Sequence, residues 1–290
     1  AKGSRAVASF DEDTSTLAVA ASRQAIEALQ PEALWFATAE PTYLEKSNAG
    51  VIHAALRLDE SVPALDFGGA ARSGLGALIA AVDLVRGAGQ AGADVGGDAG
   101  AAVLLGDEAD GPLLAEFLGS ASASREFLDR WRLPDEPNAR AWEERFGEGQ
   151  LTAAALGALD RLLEQLKLPR GDVAELIVTG CSGRAVKAVG RKVGADANPL
   201  AATVGNTGGT DPLLRLIDAL ERHDAGATVV VIHLADGADA VAFRVTGAAT
   251  STTAATSATG TGHRTVAQQV ATGDDGLAYS RFMAWRGVLT

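Results

Sequence analysis

The chain has 290 residues, 47% of them hydrophobic, and a formal charge of −12 from 25 Lys and Arg against 37 Asp and Glu. That length buries one large core or two fused half-size ones, and the acidic balance argues against a general nucleic-acid partner. No apolar run approaches the roughly 20 residues needed to cross a bilayer, no signal core follows Ala1 to Arg5, and a single cysteine permits neither an internal disulfide nor a cysteine-rich zinc site. A cytoplasmic protein without membrane association is expected. The chain does not open on Met, so upstream residues are expected as well.

Helix and strand signals alternate along the chain, the pattern of α/β layering. Apolar residues at helical spacing over Thr14 to Leu29 follow Asp11-Glu12-Asp13, acids that favour a helix N-terminus. A strand is expected over Ala33 to Ala39, ending at Glu40-Pro41. Next come a helix over Tyr43 to Leu58, a short strand over Val62 to Phe67, and a helix over Ser73 to Arg86 behind Gly68-Gly69. The stretch from Gly87 to Gly100 is nearly all Gly, Ala and Asp and has no apolar run long enough for a strand; Ala101 to Leu105 has one. The second half repeats the order. It has an amphipathic helix over Leu151 to Leu166, a strand over Leu176 to Thr179, and helices over Arg184 to Val193 and Pro212 to Glu221. A strand pair, Thr228 to His233 and Ala240 to Val245, follows. Gly247 to Gly262 is a Thr/Ser/Ala/Gly run that reads as a linker, and Val266 to Leu289 is helical in pattern.

Four stretches in order carry a resemblance. They are Trp35-Phe36-Ala37-Thr38-Ala39-Glu40; Glu126 to Arg132 followed by Trp142 to Glu148; Leu176 to Arg184 with the helix beginning at Ala185-Val186; and Val204-Gly205-Asn206-Thr207. Across residues 11–246 the chain resembles the thiolase superfamily, in particular hydroxymethylglutaryl-CoA synthases of the prokaryotic branch. The resemblance implies a thiolase fold with duplicated halves in five αβαβα layers, and a homodimer. It also implies Claisen-type acyl chemistry with acyl-CoA as substrate or ligand and no permanently bound cofactor or metal. In such chemistry a cysteine thiolate at a helix N-terminus takes the acyl group, a glutamate moves the proton, and a histidine and an asparagine hold the oxyanion.

Carried over residue by residue, the glutamate falls on Glu40 and the asparagine on Asn206. The cysteine falls within Phe67 to Gly74: at Gly69 when aligned from the strand, at Ala71 or Arg72 when aligned from the helix start. The histidine falls on Thr179. No thiol or imidazole stands at either place. The tail Tyr279 to Gly287 resembles the leading helix of an acyl-CoA-associated domain that joins a zinc ribbon to an OB-fold; no CxxC follows it.

Each candidate has a plain structural reading beside its functional one. Glu40 is the base of the site or a solvent-facing strand end; Asn206 is an oxyanion donor or a turn and capping residue. Cys181 is a relocated nucleophile or a small buried hydrophobe. Arg184 contacts a CoA phosphate or is a surface charge. His233, expected half-buried at a strand end beside the site, replaces the lost imidazole or simply packs. His53 reads as packed against its helix face, and His223 and His263 as solvated. Trp131 and Trp142 stack on an adenine or anchor the connection between halves. No P-loop or complete GxGxxG follows an expected strand, and no G-x-S-x-G element is present.

The expected organisation is an N-terminal half over 1–110, a connecting excursion over 111–150, a C-terminal half over 151–246, a linker over 247–263, and a helical tail over 264–290. Two functions follow from the resemblance. One is an enzyme making or cleaving carbon–carbon bonds next to a thioester without an acyl-cysteine, with Glu40, Asn206 and His233 as its catalytic groups and Arg184 on the ligand. The other is a degenerate acyl-CoA-binding or scaffolding subunit for an active partner, such as a zinc-ribbon/OB-fold domain.

Overall fold

The computed structural model describes residues 5–26, 30–84, 89–91, 99–106, 113–127, 130–131, 139–195, 198–247, 264–274 and 276–285. Its largest sheet has four strands in the order β5-β10-β9-β8: β5 Ala115–Ser124, β8 Glu175–Gly180, β9 Thr228–Leu234 and β10 Gly237–Val245. β8 and β9 run parallel, and β10 is antiparallel to both of its neighbours. β9 is buried at every position, which is why its sequence, TVVVIHL, is a continuous apolar run rather than an alternating one. A second parallel pair joins β1, Leu34–Thr38, to β2, Ala64–Gly68.

Helices fill the remaining three layers. On one face of the large sheet, α4 (Glu144–Leu166) and α5 (Gly183–Val193) pack Leu151, Leu159, Leu162 and Val189 against Val230, Ile232 and Leu234. On the other face, α3 (Ser73–Leu84) and α6 (Asp211–Arg222) set Leu75, Leu78, Leu213 and Leu216 against Val229, Val231 and Val241. α3 also touches β1 and β2, so this helical layer lies between the two sheets. Outside β1 and β2, α1 (Thr14–Ile26) and α2 (Asn48–Leu56) bury Ala18, Ala49 and Ile52 against Leu34 and Phe36. The order is therefore αβαβα, each layer hiding an apolar face that neither neighbour could hide alone.

Local chemistry sets the helix starts. The Asp13 carboxylate accepts from Thr16 N–H at 2.8 Å while Thr16 Oγ1 accepts from Asp13 N–H at 2.7 Å, a reciprocal cap on α1. α2 begins at Asn48, later than the spacing at Tyr43 predicts, because Ser47 caps it and Asp66 of β2 takes the Asn48 and Ala49 N–H groups at 3.0 and 2.8 Å. α4 starts at Glu144, seven residues before the expected Leu151, and residues 115–124, expected within the connecting excursion, form β5. The β5 sequence, AEFLGSASAS, has little β-propensity of its own and becomes a strand by pairing with β10.

Residues 101–105 were expected as a strand; the strand is instead β4, Ala99–Ala101, paired antiparallel with β3, Gly89–Ala91, inside the Gly/Ala stretch that the sequence reads as strandless. The expected linker, 247–263 with His263, lies outside the described residues except Gly247. In the tail, two short helices, Val266–Ala271 and Tyr279–Trp285, replace one long helical run, the first docking Val266 beside Leu200 and Val204. Among the described residues, no helix is long and apolar enough to cross a membrane.

Candidate functional site

The C-terminal ends of parallel strands are where open α/β sheets bind ligands, and here two sets of such ends are joined. Thr38 and Gly68 are partners at the ends of β1 and β2, so Glu40 and the loop 69–72 leave the same edge. Thr179 and His233 are partners near the ends of β8 and β9. The sets meet closely: a Cβ built on Gly74, in the first turn of α3, would lie 2.2 Å from the Gly209 carbonyl oxygen. Only glycine fits there.

His233 lies at the end of β9, as expected, but is fully buried rather than half-buried. Its Nδ1 lies 2.9 Å from Thr179 Oγ1 and its Nε2 3.2 Å from the Ala71 carbonyl oxygen. A carbonyl only accepts, so Nε2 carries the proton and Nδ1 accepts from the threonine hydroxyl. Burial holds the His233 pKa below its ordinary value, against the pull of Asp211, the Ala71 carbonyl and Asp239. The imidazole is therefore a neutral strut with both nitrogens in use, tying the loop after β2 to the large sheet.

Arg72 makes the second tie. Its Nε and Nη2 donate to Asp239 Oδ2 and Oδ1 at 2.6 and 2.7 Å, and its Nη1 donates to Ser124 Oγ at 2.9 Å and to the Asp236 carbonyl at 3.0 Å. The hydrogen bond to Asp239 raises the Arg72 pKa above its usual value. The guanidinium stands beside an open recess of about 470 Å³ lined also by Ser73, Gly76, Ile79, Ala80 and Ser122. The loop that precedes α3 thus offers a carbonyl to His233 and a cation to Asp239, and contains no nucleophile.

Asn206 lies on the turn before α6. Its Nδ2 donates to the Gly180 carbonyl at 2.7 Å and its Oδ1 accepts from Gly208 N–H at 2.8 Å, which joins this turn to the end of β8. Hydrogen bonds thereby join Ala71, His233 and Thr179, and a further one joins Asn206 to Gly180, the residue after Thr179 in β8. Glu40 is half-buried two residues past β1; its N–H donates to Thr38 Oγ1 and its carbonyl accepts from Thr14 Oγ1. Arg184, in the first turn of α5, is ion-paired with Glu148 of α4.

The remaining candidates lie apart from these contacts. Cys181 is exposed at the end of β8, contrary to its expected burial. His223, read as solvated, ends α6 with Nε2 2.7 Å from Glu175 Oε2, and His53 Nε2 lies 3.0 Å from the Asp59 carbonyl. Trp131 sits in the short strand β6, Arg130–Trp131, which pairs antiparallel with β7, Arg140–Ala141, and Trp142 is exposed. Among the described residues, no cluster of His, Cys, Asp and Glu could hold a metal ion. The ion pairs Arg72–Asp239 and Asp211–Arg215 are among the contacts that the sequence does not announce. The partner of Arg72 is 167 residues away and leaves no local signal. The Asp211–Arg215 pair was readable in principle as an acid and base four apart on one helix.

The chain matches no protein-family model. It is 26% identical over 271 residues to a protein named hydroxymethylglutaryl-CoA synthase from Methanopyrus kandleri, a match spanning 83% of this chain and 77% of that one. It is 32% identical over 190 residues to one of the same name from Thermococcus sibiricus, spanning 58% of this chain and 54% of that one. Among solved structures it superposes on Xanthomonas campestris OleA with bound lauric acid and lauroyl-CoA at a TM-score of 0.70 and 15% identity, covering 83% of this chain and 85% of that one. It superposes on 3-oxoacyl-[acyl-carrier-protein] synthase III from Aquifex aeolicus at 0.69 and 18% identity, covering 83% and 87%. The tetronic acid condensing enzyme AbyA1 aligns at 0.66 and 20% identity, covering 83% and 90%. The chain has the thiolase fold.

Proposed function

We propose that this thiolase-fold chain binds acyl-CoA at the joined strand ends and forms no acyl-cysteine. The observation that carries the reading is the loop 69–72. It lies before α3, where the family resemblance puts the thiol nucleophile, carries Gly-Ala-Ala-Arg, and is tied down through Ala71 and Arg72. A glycine or alanine supplies no nucleophile, and a guanidinium engaged with Asp239 supplies none either. His233, with both nitrogens spent on the protein, is a strut in this reading rather than a proton carrier. The relatives named hydroxymethylglutaryl-CoA synthase support the acyl-CoA ligand. Arg184 is assigned to the CoA phosphates, for which it would exchange its pairing with Glu148. A homodimer, and a zinc-ribbon/OB-fold partner supporting an active subunit, belong to the same proposal.

A second reading is favoured by Glu40, a carboxylate at the end of β1 beside the same edge. In it the protein cleaves a carbon–carbon bond of a β-hydroxyacyl-CoA. Glu40 takes the hydroxyl proton, the O–H electrons form the new carbonyl, the carbon–carbon bond breaks, and its electrons pass to the thioester enolate. An Asn206 N–H stabilises that enolate until a proton returns to carbon. No acyl-enzyme and no permanent cofactor enter.

The test is calorimetry with CoA and acetyl-CoA, combined with intact-protein mass after exposure and product analysis over a panel of acyl-CoAs. Binding with unchanged protein mass and no product supports the first reading. Product formation abolished in Glu40→Gln selects the second. Absence of binding, or an acyl adduct that disappears in Cys181→Ser, overturns both.

A further inference from the structure

We infer that the buried pair Asp211–Arg215 is a positioning element that holds the Asn206 turn in its ligand-competent shape and so sets the affinity of the site for an acyl-CoA carbonyl. The inference rests on the second reading above, in which an Asn206 N–H meets the thioester oxygen of the ligand. Both side chains are at most 5% exposed. Arg215 Nε donates to Asp211 Oδ2 at 2.9 Å and Nη2 to Oδ1 at 2.7 Å, a flat two-point contact.

What the pair does with its remaining valences points to its role. Arg215 Nη2 also donates to the Gly205 carbonyl at 2.9 Å, and Nη1 to Asn198 Oδ1 at 2.6 Å. Asp211 Oδ1 accepts the Thr207 N–H at 3.2 Å. The residues before and after Asn206 are therefore both held by this one pair, Gly205 through its carbonyl and Thr207 through its amide. The turn needs such support, because Gly205 and Gly208 have φ of +90° and +63° and glycine imposes no conformation of its own. With the backbone fixed, one Asn206 amide hydrogen goes to the Gly180 carbonyl and the other is the donor assigned to the thioester oxygen.

Stability alone does not explain the pair. A buried ion pair gives little or no net stabilisation over apolar residues of the same volume, whereas a guanidinium fork fixes direction. Asp211 is also the largest charge opposing the burial-driven lowering of the His233 pKa, which puts it within electrostatic reach of the second tie of the site.

Arg215→Lys keeps the charge and loses the fork. The expected result is a folded variant whose Asn206 side-chain amide signals, observed by NMR with asparagine-selective labelling and no ligand, move from their wild-type positions. Its acetyl-CoA dissociation constant should rise about 10-fold or more, since small misplacements of binding groups are costly. Arg222→Lys, at the far end of the same helix, should change neither. Unmoved Asn206 signals in folded Arg215→Lys would overturn the inference whether or not acetyl-CoA binds. Absent binding by wild type would instead refute the functional reading and leave the amide result to decide this one. Hydrogen exchange in the wild type decides the matter if the variant does not fold: Thr207 N–H should exchange as slowly as the amides inside α6, and free exchange would overturn the pair's hold on the turn.

Discussion

Replacing Arg72 by methionine removes a cation from a carboxylate that has almost no access to water. The Asp239 side chain is 3% exposed and both of its oxygens lie within 2.7 Å of the guanidinium. Breaking a buried ion pair from one side costs about 3–5 kcal/mol, most of it the penalty of the stranded charge. The Arg72 side chain is 21% exposed, so water can enter the vacated space, and the low end, about 3 kcal/mol, is expected. Unfolding entropies near 2.1 cal/mol/K per residue make that a fall of about 5 °C in Tm for a chain this long. Arg72→Met, Asp239→Asn and the double variant, followed by calorimetry or urea unfolding, form a cycle that isolates the pair. Asp239→Asn alone should cost about 1–2 kcal/mol, because Arg72 keeps Ser124 and the Asp236 carbonyl. The double variant should recover at least about 1.5 kcal/mol relative to the sum of the singles. Additivity within about 0.5 kcal/mol would refute the claim that this bridge ties the loop before α3 to the large sheet.

Three further outcomes are expected. The His233 pKa is held down by burial, so the unfolded chain binds that proton more readily; stability should be full above about pH 6.5 and fall below it by up to about 1.4 kcal/mol per pH unit. That acid slope should be absent from His233→Asn in urea titrations across the range, and an identical slope in both proteins would assign it elsewhere. Gly74→Ala, whose methyl would meet the Gly209 carbonyl oxygen at 2.2 Å, should lose about 2 kcal/mol or more, while Gly76→Ala, with open space at its Cβ, should gain up to about 1 kcal/mol by thermal melting. Equal effects would mean the α3 start is not packed as described. Cys181 is exposed, so a disulfide reagent should label it in the folded protein and Cys181→Ser should shift stability by less than about 0.5 kcal/mol; labelling only after unfolding would contradict its exposure.

The layering was legible in the sequence because strands and helices here have distinct local periods. The uniform apolar run at Thr228 to Leu234 and the helical spacing in Thr14 to Ile26 and Asp211 to Arg222 are properties of contiguous residues. The ordered motifs around Glu40, Thr179 and Asn206 pointed to the thiolase fold for the same reason. β5 was not legible, since its Ser/Ala/Gly sequence carries no strand preference until β10 supplies hydrogen-bond partners. Nor was the character of His233. Its position at the end of a strand leaves open whether it replaces the lost imidazole or packs, and only the tertiary structure shows that Thr179 and Ala71 take both nitrogens and that water is excluded. The Arg72–Asp239 bridge lies furthest beyond sequence, because two residues 167 positions apart have no shared pattern and meet only when the halves close on each other. Local chemistry determined which layers form; contacts between layers decided which polar groups remain for a ligand.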